Sequence, residues 1–139
     1  MTCQSKAKEA VACFNSGFNC SQAILSTYCE ALGLNRETAL KLACGLGAGM
    51  GRLQETCGAV SGAYLVIGLK CGNDKEKTYA LVREFARRFE ARNKTTNCRA
   101  LLGVDLMLGD KAAASQRVRE VCPAAVRDAA EILESILDL

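Results

Sequence analysis

No stretch of this chain convincingly alternates apolar and polar residues in the period of two that a half-buried strand requires. Helical spacing recurs instead. Tyr79, Val82, Phe85, Ala86 and Phe89 form one stripe on a segment that Asp74 opens and that runs to about Asn93. Glu84 and Arg88 stand four apart on it in the favourable order. Elsewhere KAKEAVACFNSG stops at Gly17, and NCSQAILSTYCEALG stops at Gly33. Asn35 caps RETALKLACG, and Thr56 is placed to cap CGAVSGAYLVIGLK, which ends near Gly72. YLVIGL alone would pass for a strand, but the small residues before it favour a close-packed helix. NCRALLG reads as a short helix and DKAAASQRVREV as another. CPAAVRDAAEILESILDL is the last, with Pro123 at its first helical position. The Gly-rich GLGAGMG, residues 45–51, reads as a loop. The expectation is an all-α fold: one helical bundle of about six to seven helices over residues 1–139, with no linker and no clear repeat.

At 139 residues, half of them apolar, the chain can bury a real core. A net charge of +3 is too small to indicate nucleic acid. Arg83, Arg87, Arg88 and Arg92 read as a solvated helix face, and the aromatics between them as core. The longest apolar run, residues 59–69, is short of the roughly 20 residues a bilayer span needs. MTCQSKAKEA has no apolar h-region, so no secretory signal is expected and the cytoplasm is the expected compartment. GLGAGMG follows no strand and precedes no Gly-Lys-Ser/Thr, so it is not read as a phosphate loop. Asp110, Glu120 and Asp128 lack the spacing of an acid–base pair.

The chemistry lies in nine cysteines and no histidine. An odd number in a reducing compartment argues against a disulfide scaffold and for metal, redox chemistry or small core residues. Without histidine there is no Cys–His nucleophile, no mixed Cys/His zinc site and no attached haem. Cys20 follows Asn19, Cys57 follows Thr56, Cys98 follows Asn97, and Cys122 precedes Pro123. All four therefore read as helix starts, where free N–H groups and the positive dipole end favour a thiolate. Cys13, Cys29 and Cys44 fall late in helices, Cys3 lies in the terminal stretch, and Cys71 falls in the turn after residues 59–69. Gly58, Ala59, Ser61 and Gly62 clear the first turns behind Cys57. Gly58 and Gly62 share a face that would admit another backbone or a compact inorganic group, and are candidate cofactor-binding positions. Exposed N–H groups there would donate N–H···S bonds.

Cys20 in GFNCSQAIL, Cys57 in CGAVSG, Cys98 in NCRALLG and Cys122 in EVCPAAV resemble the redox-active family named for its C…GCAxxG…C…C cysteines. The resemblance covers roughly residues 10 to 137. Here the central motif runs Cys57-Gly58-Ala59 instead of Gly-Cys-Ala. The resemblance implies a small bacterial or archaeal protein of redox function, with the four cysteines sharing one site. A similar domain occurs beside multihaem cytochromes with an iron–sulfur centre. Haem does not carry over, because the chain has no Cys-x-x-Cys-His.

Three function classes follow. In the first, Cys20, Cys57, Cys98 and Cys122 ligate an iron–sulfur cluster or another thiophilic metal for electron transfer or sensing. In the second, two of them cycle as thiol and disulfide without metal. In the third, the chain is a structural helical binding module. Zinc ranks below iron–sulfur, because close Cys-x-x-Cys pairs are absent. Whether the chain is an enzyme is not fixed. A redox partner protein is expected, a homodimer is compatible with the sequence, and neither nucleic acid nor a membrane span is expected.

Overall fold

A computed structural model describes residues 4–139. The elements are α1 (Ala7–Asn15), α2 (Cys20–Tyr28), a 3₁₀ turn (Glu30–Leu32), α3 (Arg36–Cys44), the single turn α4 (Gly47–Met50), α5 (Gly58–Cys71), α6 (Lys75–Asn93), α7 (Cys98–Leu102) and α8 (Lys111–Leu137). No strand forms among the described residues. One isolated antiparallel bridge pairs Thr56 with Asn97. The all-α bundle expected from periodicity is therefore the fold. No helix among the described residues is long and apolar enough to cross a membrane.

The caps are local and follow the sequence. Asn19 and Gln22 form a reciprocal capping box at α2: the Gln22 N–H donates to Asn19 Oδ1 at 2.9 Å, and the Asn19 N–H donates to Gln22 Oε1 at 3.0 Å. Asn19 Nδ2 also donates to the Cys44 carbonyl at 2.9 Å, tying the start of α2 to the end of α3. Asn35, Asp74 and Asn97 cap α3, α6 and α7 more simply, each side chain accepting one backbone N–H. Thr56 does not cap α5. Cys57 itself is the N-cap residue, and Thr56 is taken up by the bridge to Asn97.

Packing centres on α5, which is apolar on every side and touches α2, α6, α8 and α4. Its approach to α2 is set by two glycines. A Cβ on Gly62 would lie 2.9 Å from the Ser21 carbonyl oxygen and 3.1 Å from Ser21 Cα. A Cβ on Gly58 would lie 3.1 Å from both Cys20 Cβ and the Ser21 nitrogen. The small face expected at residues 58–62 thus receives the backbone of α2. On α6 the buried stripe is Phe85 and Phe89, stacked at 6.0 Å, with Tyr64 of α5 edge-on to Phe85 at 5.9 Å. Tyr79, read as part of that stripe, is exposed beneath Lys75 instead. Arg92 leaves the expected solvated face to bridge Asp128 and Glu131 of α8.

Helix α8 departs most from the sequence reading. The two segments expected to meet at Cys122 and Pro123 form one helix of 27 residues with the proline inside. An interior proline forgoes one helical hydrogen bond and crowds the carbonyl four residues back, here that of Arg119, at a cost of about 3 kcal/mol. Burial of Ala125, Val126, Ala129, Ala130, Ile132, Leu133 and Leu137 offsets it, since each full aliphatic burial contributes about 1.5–3 kcal/mol. The helix is anchored at both halves. Arg117 Nε donates to the Leu102 carbonyl at 2.8 Å, and Tyr28 Oη donates to Glu134 at 2.7 Å.

Two stability effects follow from the α2–α5 contact. Gly62→Ala forces two backbones apart and should destabilise the protein by about 1–3 kcal/mol in denaturant unfolding; an unchanged midpoint would mean the helices are not held at this distance. The Ser21 hydroxyl at the same contact is buried with no hydrogen-bond partner among the described residues. Ser21→Ala should therefore raise the midpoint, by roughly 1 kcal/mol, and a lower midpoint would reveal a partner for that hydroxyl.

Candidate functional site

The four cysteines singled out by sequence arrive from four helices. Cys20 is the first residue of α2, Cys57 the N-cap of α5, and Cys98 the first residue of α7. The Thr56–Asn97 bridge sets the last two side by side. The Cys57 N–H donates to the Thr96 carbonyl at 2.7 Å, and the Cys98 N–H donates to the Glu55 carbonyl at 2.6 Å. Cys122 comes from the middle of α8, not from a helix start, on the face that also carries Val118, Val121 and Ala125. All four line one cavity of about 120 Å³. Its remaining wall is Phe14, Asn19, Ala48, Gly58, Leu101, Leu102, Leu106 and those three α8 residues, none of them charged. Gly58 thus faces the cavity, whereas Gly62 packs on α2 against Ser21 and Ile24.

The remaining cysteines lie elsewhere. Cys29 is fully buried and donates to the Ser26 carbonyl. Half-buried Cys13 lies 3.6 Å from the Ser26 hydroxyl and 3.9 Å from an Arg36 nitrogen. Cys44 is exposed, and Cys71 is the half-buried last residue of α5 instead of a turn residue. Cys3 lies outside the described residues.

The Gly-rich run has a conformation that spacing alone did not reveal. Ala48, Gly49, Met50, Gly51 and Arg52 all have positive φ, between 56° and 70°. They wind one left-handed turn closed by the Gly51 N–H to the Gly47 carbonyl at 2.9 Å. Such backbone costs roughly 1–2 kcal/mol for each residue bearing a Cβ. Gly49 has no alternative, since a Cβ there would lie 2.7 Å from Cys98 Cβ. The turn places Ala48 on the cavity wall and leads to Gln54, which is buried, also at positive φ. Gln54 Nε2 donates to the Val104 carbonyl at 2.8 Å and Oε1 accepts from the Leu106 N–H at 2.9 Å. Its side chain also faces Cys98. Gln54 thereby holds the α7–α8 loop over the cavity. No sequence signal marked it.

Helix starts do not make these thiols acidic. Burial pushes Cys57 from the ordinary 9.0 up to about 12, although the N–H groups of Ala59 and Val60 pull the other way. Burial likewise pushes Cys98 up to about 11, against the Gln54 side chain. The rise at Cys57 amounts to roughly 4 kcal/mol against the thiolate, whereas a helix terminus returns at most about 2 kcal/mol. Desolvation wins. Cys20 is held well above its usual range, first by its hydrogen bond to Cys122 and then by burial. Cys122 alone is lowered, because the Cys20 thiol hydrogen-bonds to its sulfur. Within this pair Cys122 is therefore the thiol that ionises first. As the side chains stand, no group of three or more Cys, Asp or Glu among the described residues could hold a metal ion.

Near neutral pH, iodoacetamide should label Cys122 ahead of Cys20, Cys57 and Cys98 in peptide mapping, with exposed Cys44 as the reference. A lowered thiol pKa moves the labelling profile to lower pH. Cys20→Ala removes the hydrogen-bond donor and should move the Cys122 profile back up. An unmoved profile would show that the two sulfurs do not interact.

The cavity's cysteines occur in the order and with the neighbours of a recognised family. No curated protein and no solved structure matches the chain significantly. A family model described as "Putative redox-active protein (C_GCAxxG_C_C)" matches residues 18–136, a span containing all four cavity cysteines. The chain belongs to this C_GCAxxG_C_C family.

Proposed function

We propose that the protein is redox-active through Cys20, Cys57, Cys98 and Cys122, which together hold an iron–sulfur cluster or another thiophilic metal group for electron transfer or sensing. The observation carrying this reading is the single cavity of about 120 Å³ lined by all four thiols and by no charged side chain. An all-sulfur donor set suits iron–sulfur, Cu(I) or zinc. Thiols that ring a cavity, with no three gathered on a point, suit a group with a body of its own better than a lone zinc ion. When bound, such a group supplies one-electron chemistry.

The chain's own residues would do the rest. Leu101, Leu102, Val118 and Val121 keep water from the sulfurs. The Ala59 and Val60 N–H groups face the Cys57 sulfur, and N–H···S bonds are among the levers on potential. Coordinating thiols must give up their protons. Those on Cys57 and Cys98 are held at about 12 and 11, so loading releases protons and strengthens as pH rises.

The Cys20–Cys122 contact favours a second reading without metal. The Cys122 thiolate attacks an external disulfide, and the thiolate of Cys20 then displaces that mixed disulfide. The chain loses two electrons and two protons, and the external disulfide becomes two thiols.

Protein purified without oxygen, or reconstituted with iron and sulfide, should be brown and bleach on reduction. Cys57→Ser should abolish or shift that spectrum, and Cys44→Ser should leave it unchanged. Colourless, iron-free protein that loses two thiols on mild oxidation, in a way Cys20→Ser or Cys122→Ser prevents, would replace the cluster by the dithiol. With neither metal nor paired oxidation, a helical binding module is left.

A further inference from the structure

Beside the thiol cavity lies a second, open groove of about 790 Å³. Ala48, Leu106 and Val118 line both, so one layer of side chains separates them. Arg52, Lys111 and Arg119 reach the groove from the left-handed turn and from α8. None of the three forms an ion pair among the described residues, and no acid lines the groove. Of the acids close in the chain, Asp105 pairs with Arg99, Glu120 pairs with Arg117 and Asp110 caps α8, while exposed Glu55 forms no ion pair among the described residues and does not line the groove. On a chain of net charge +3, three free cations at one groove form a local positive field.

Large apolar side chains protrude at the same place. Met107 lines the groove and is 66% exposed. Leu53 and Leu108, the chain neighbours of the lining residues Arg52 and Met107, are 71% and 74% exposed. The positive φ of Arg52, 68°, is a conformation that costs free energy and that arginine has no intrinsic reason to adopt. A small anion would account for the cations but not for the protruding leucines and methionine. An apolar patch interleaved with one sign of charge is what a macromolecular interface presents.

We propose that this groove docks an acidic redox-partner protein, whose carboxylates meet Arg52, Lys111 and Arg119 while its apolar surface covers Leu53, Met107 and Leu108. The proposal rests on the four-thiol cavity being the redox site, because that is what makes docking one side-chain layer away useful. Charge complementarity of this kind sets encounter rate and register and weakens with salt.

The test measures binding of two probes, a flavodoxin and a ferredoxin each of strongly negative net charge, to the full chain at low and at physiological salt. Both the metal-free and the iron–sulfide-reconstituted protein are used. At least one probe should bind, more weakly at the higher salt. Arg52→Glu/Lys111→Glu/Arg119→Glu should weaken that binding by about tenfold or more. The control Lys70→Glu/Lys77→Glu/Arg83→Glu makes the same charge change at exposed sites on the distant end of α5 and the first half of α6, and should change it far less. Leu53→Gln/Met107→Gln should weaken binding while leaving its salt dependence unchanged. Failure of both probes to bind, or equal losses in the two charge-reversed variants, would overturn the proposal. So would inorganic phosphate occupying the groove with no protein binding, which would make it a small-anion site. Colourless protein that still shows the charge-specific binding would sink the cluster reading and spare the docking face. Brown protein without that binding would do the opposite.

Discussion

Helix α5 reaches α2 only because positions 58 and 62 carry no Cβ. Any larger residue at 62 would drive a side chain into the Ser21 carbonyl. That approach brings the first residue of α2, Cys20, to the N-cap of α5, Cys57. The rest of the site is assembled on this pair. The Thr56–Asn97 bridge attaches α7 and Cys98, and Arg117 fastens α8 to the end of α7 so that Cys122 closes the ring. Four sulfurs distant in the chain thus share one cavity without any two being close in sequence.

The arrangement is costly, and the costs fall at the site. Ala48, Met50, Arg52 and Gln54 hold positive φ, three of the cavity thiols are buried, Ser21 has no partner among the described residues, and a proline sits inside α8. Each disfavours folding by an amount comparable to one good buried contact. The apolar packing of α5, α6 and the second half of α8 offsets them from outside the cavity. Four of the six non-glycine residues at positive φ among the described residues fall between Ala48 and Gln54, beside the cavity, and clustered strain of this kind is what a functional site produces.

Electrostatics in the cavity follow burial before helix direction. Cys57 and Cys98 occupy helix starts and are still weak acids, while Cys122, in mid-helix, is the one made more acidic. The donor responsible is another thiol. Without a cation the cavity therefore opposes gathering several thiolates, and a positively charged metal group would reverse that balance. The same sign rule operates outside, where the cations of the neighbouring groove form no ion pair, and no acid lines the groove, among the described residues.

Much of this could be read from the chain alone. The all-α class, the Asn caps and the Phe85/Phe89 stripe follow from periodicity and local hydrogen bonding, which act within a few residues. The four cysteines were legible because their flanking residues are distinctive, and the small face of α5 because glycine has few reasons to recur in a helix. Tertiary structure decided the rest. Pro123 looks like a helix start until seven buried residues beyond it hold α8 continuous. Arg92 looks solvated until α8 brings Asp128 and Glu131 to it. The helix-start thiols look acidic until neighbours remove their water. GLGAGMG looks like a plain loop until contact with Cys98 and Gln54 winds it left-handed. Sequence determines what acts between near neighbours in the chain. Desolvation and close approach depend on partners far along it, and only the fold supplies them.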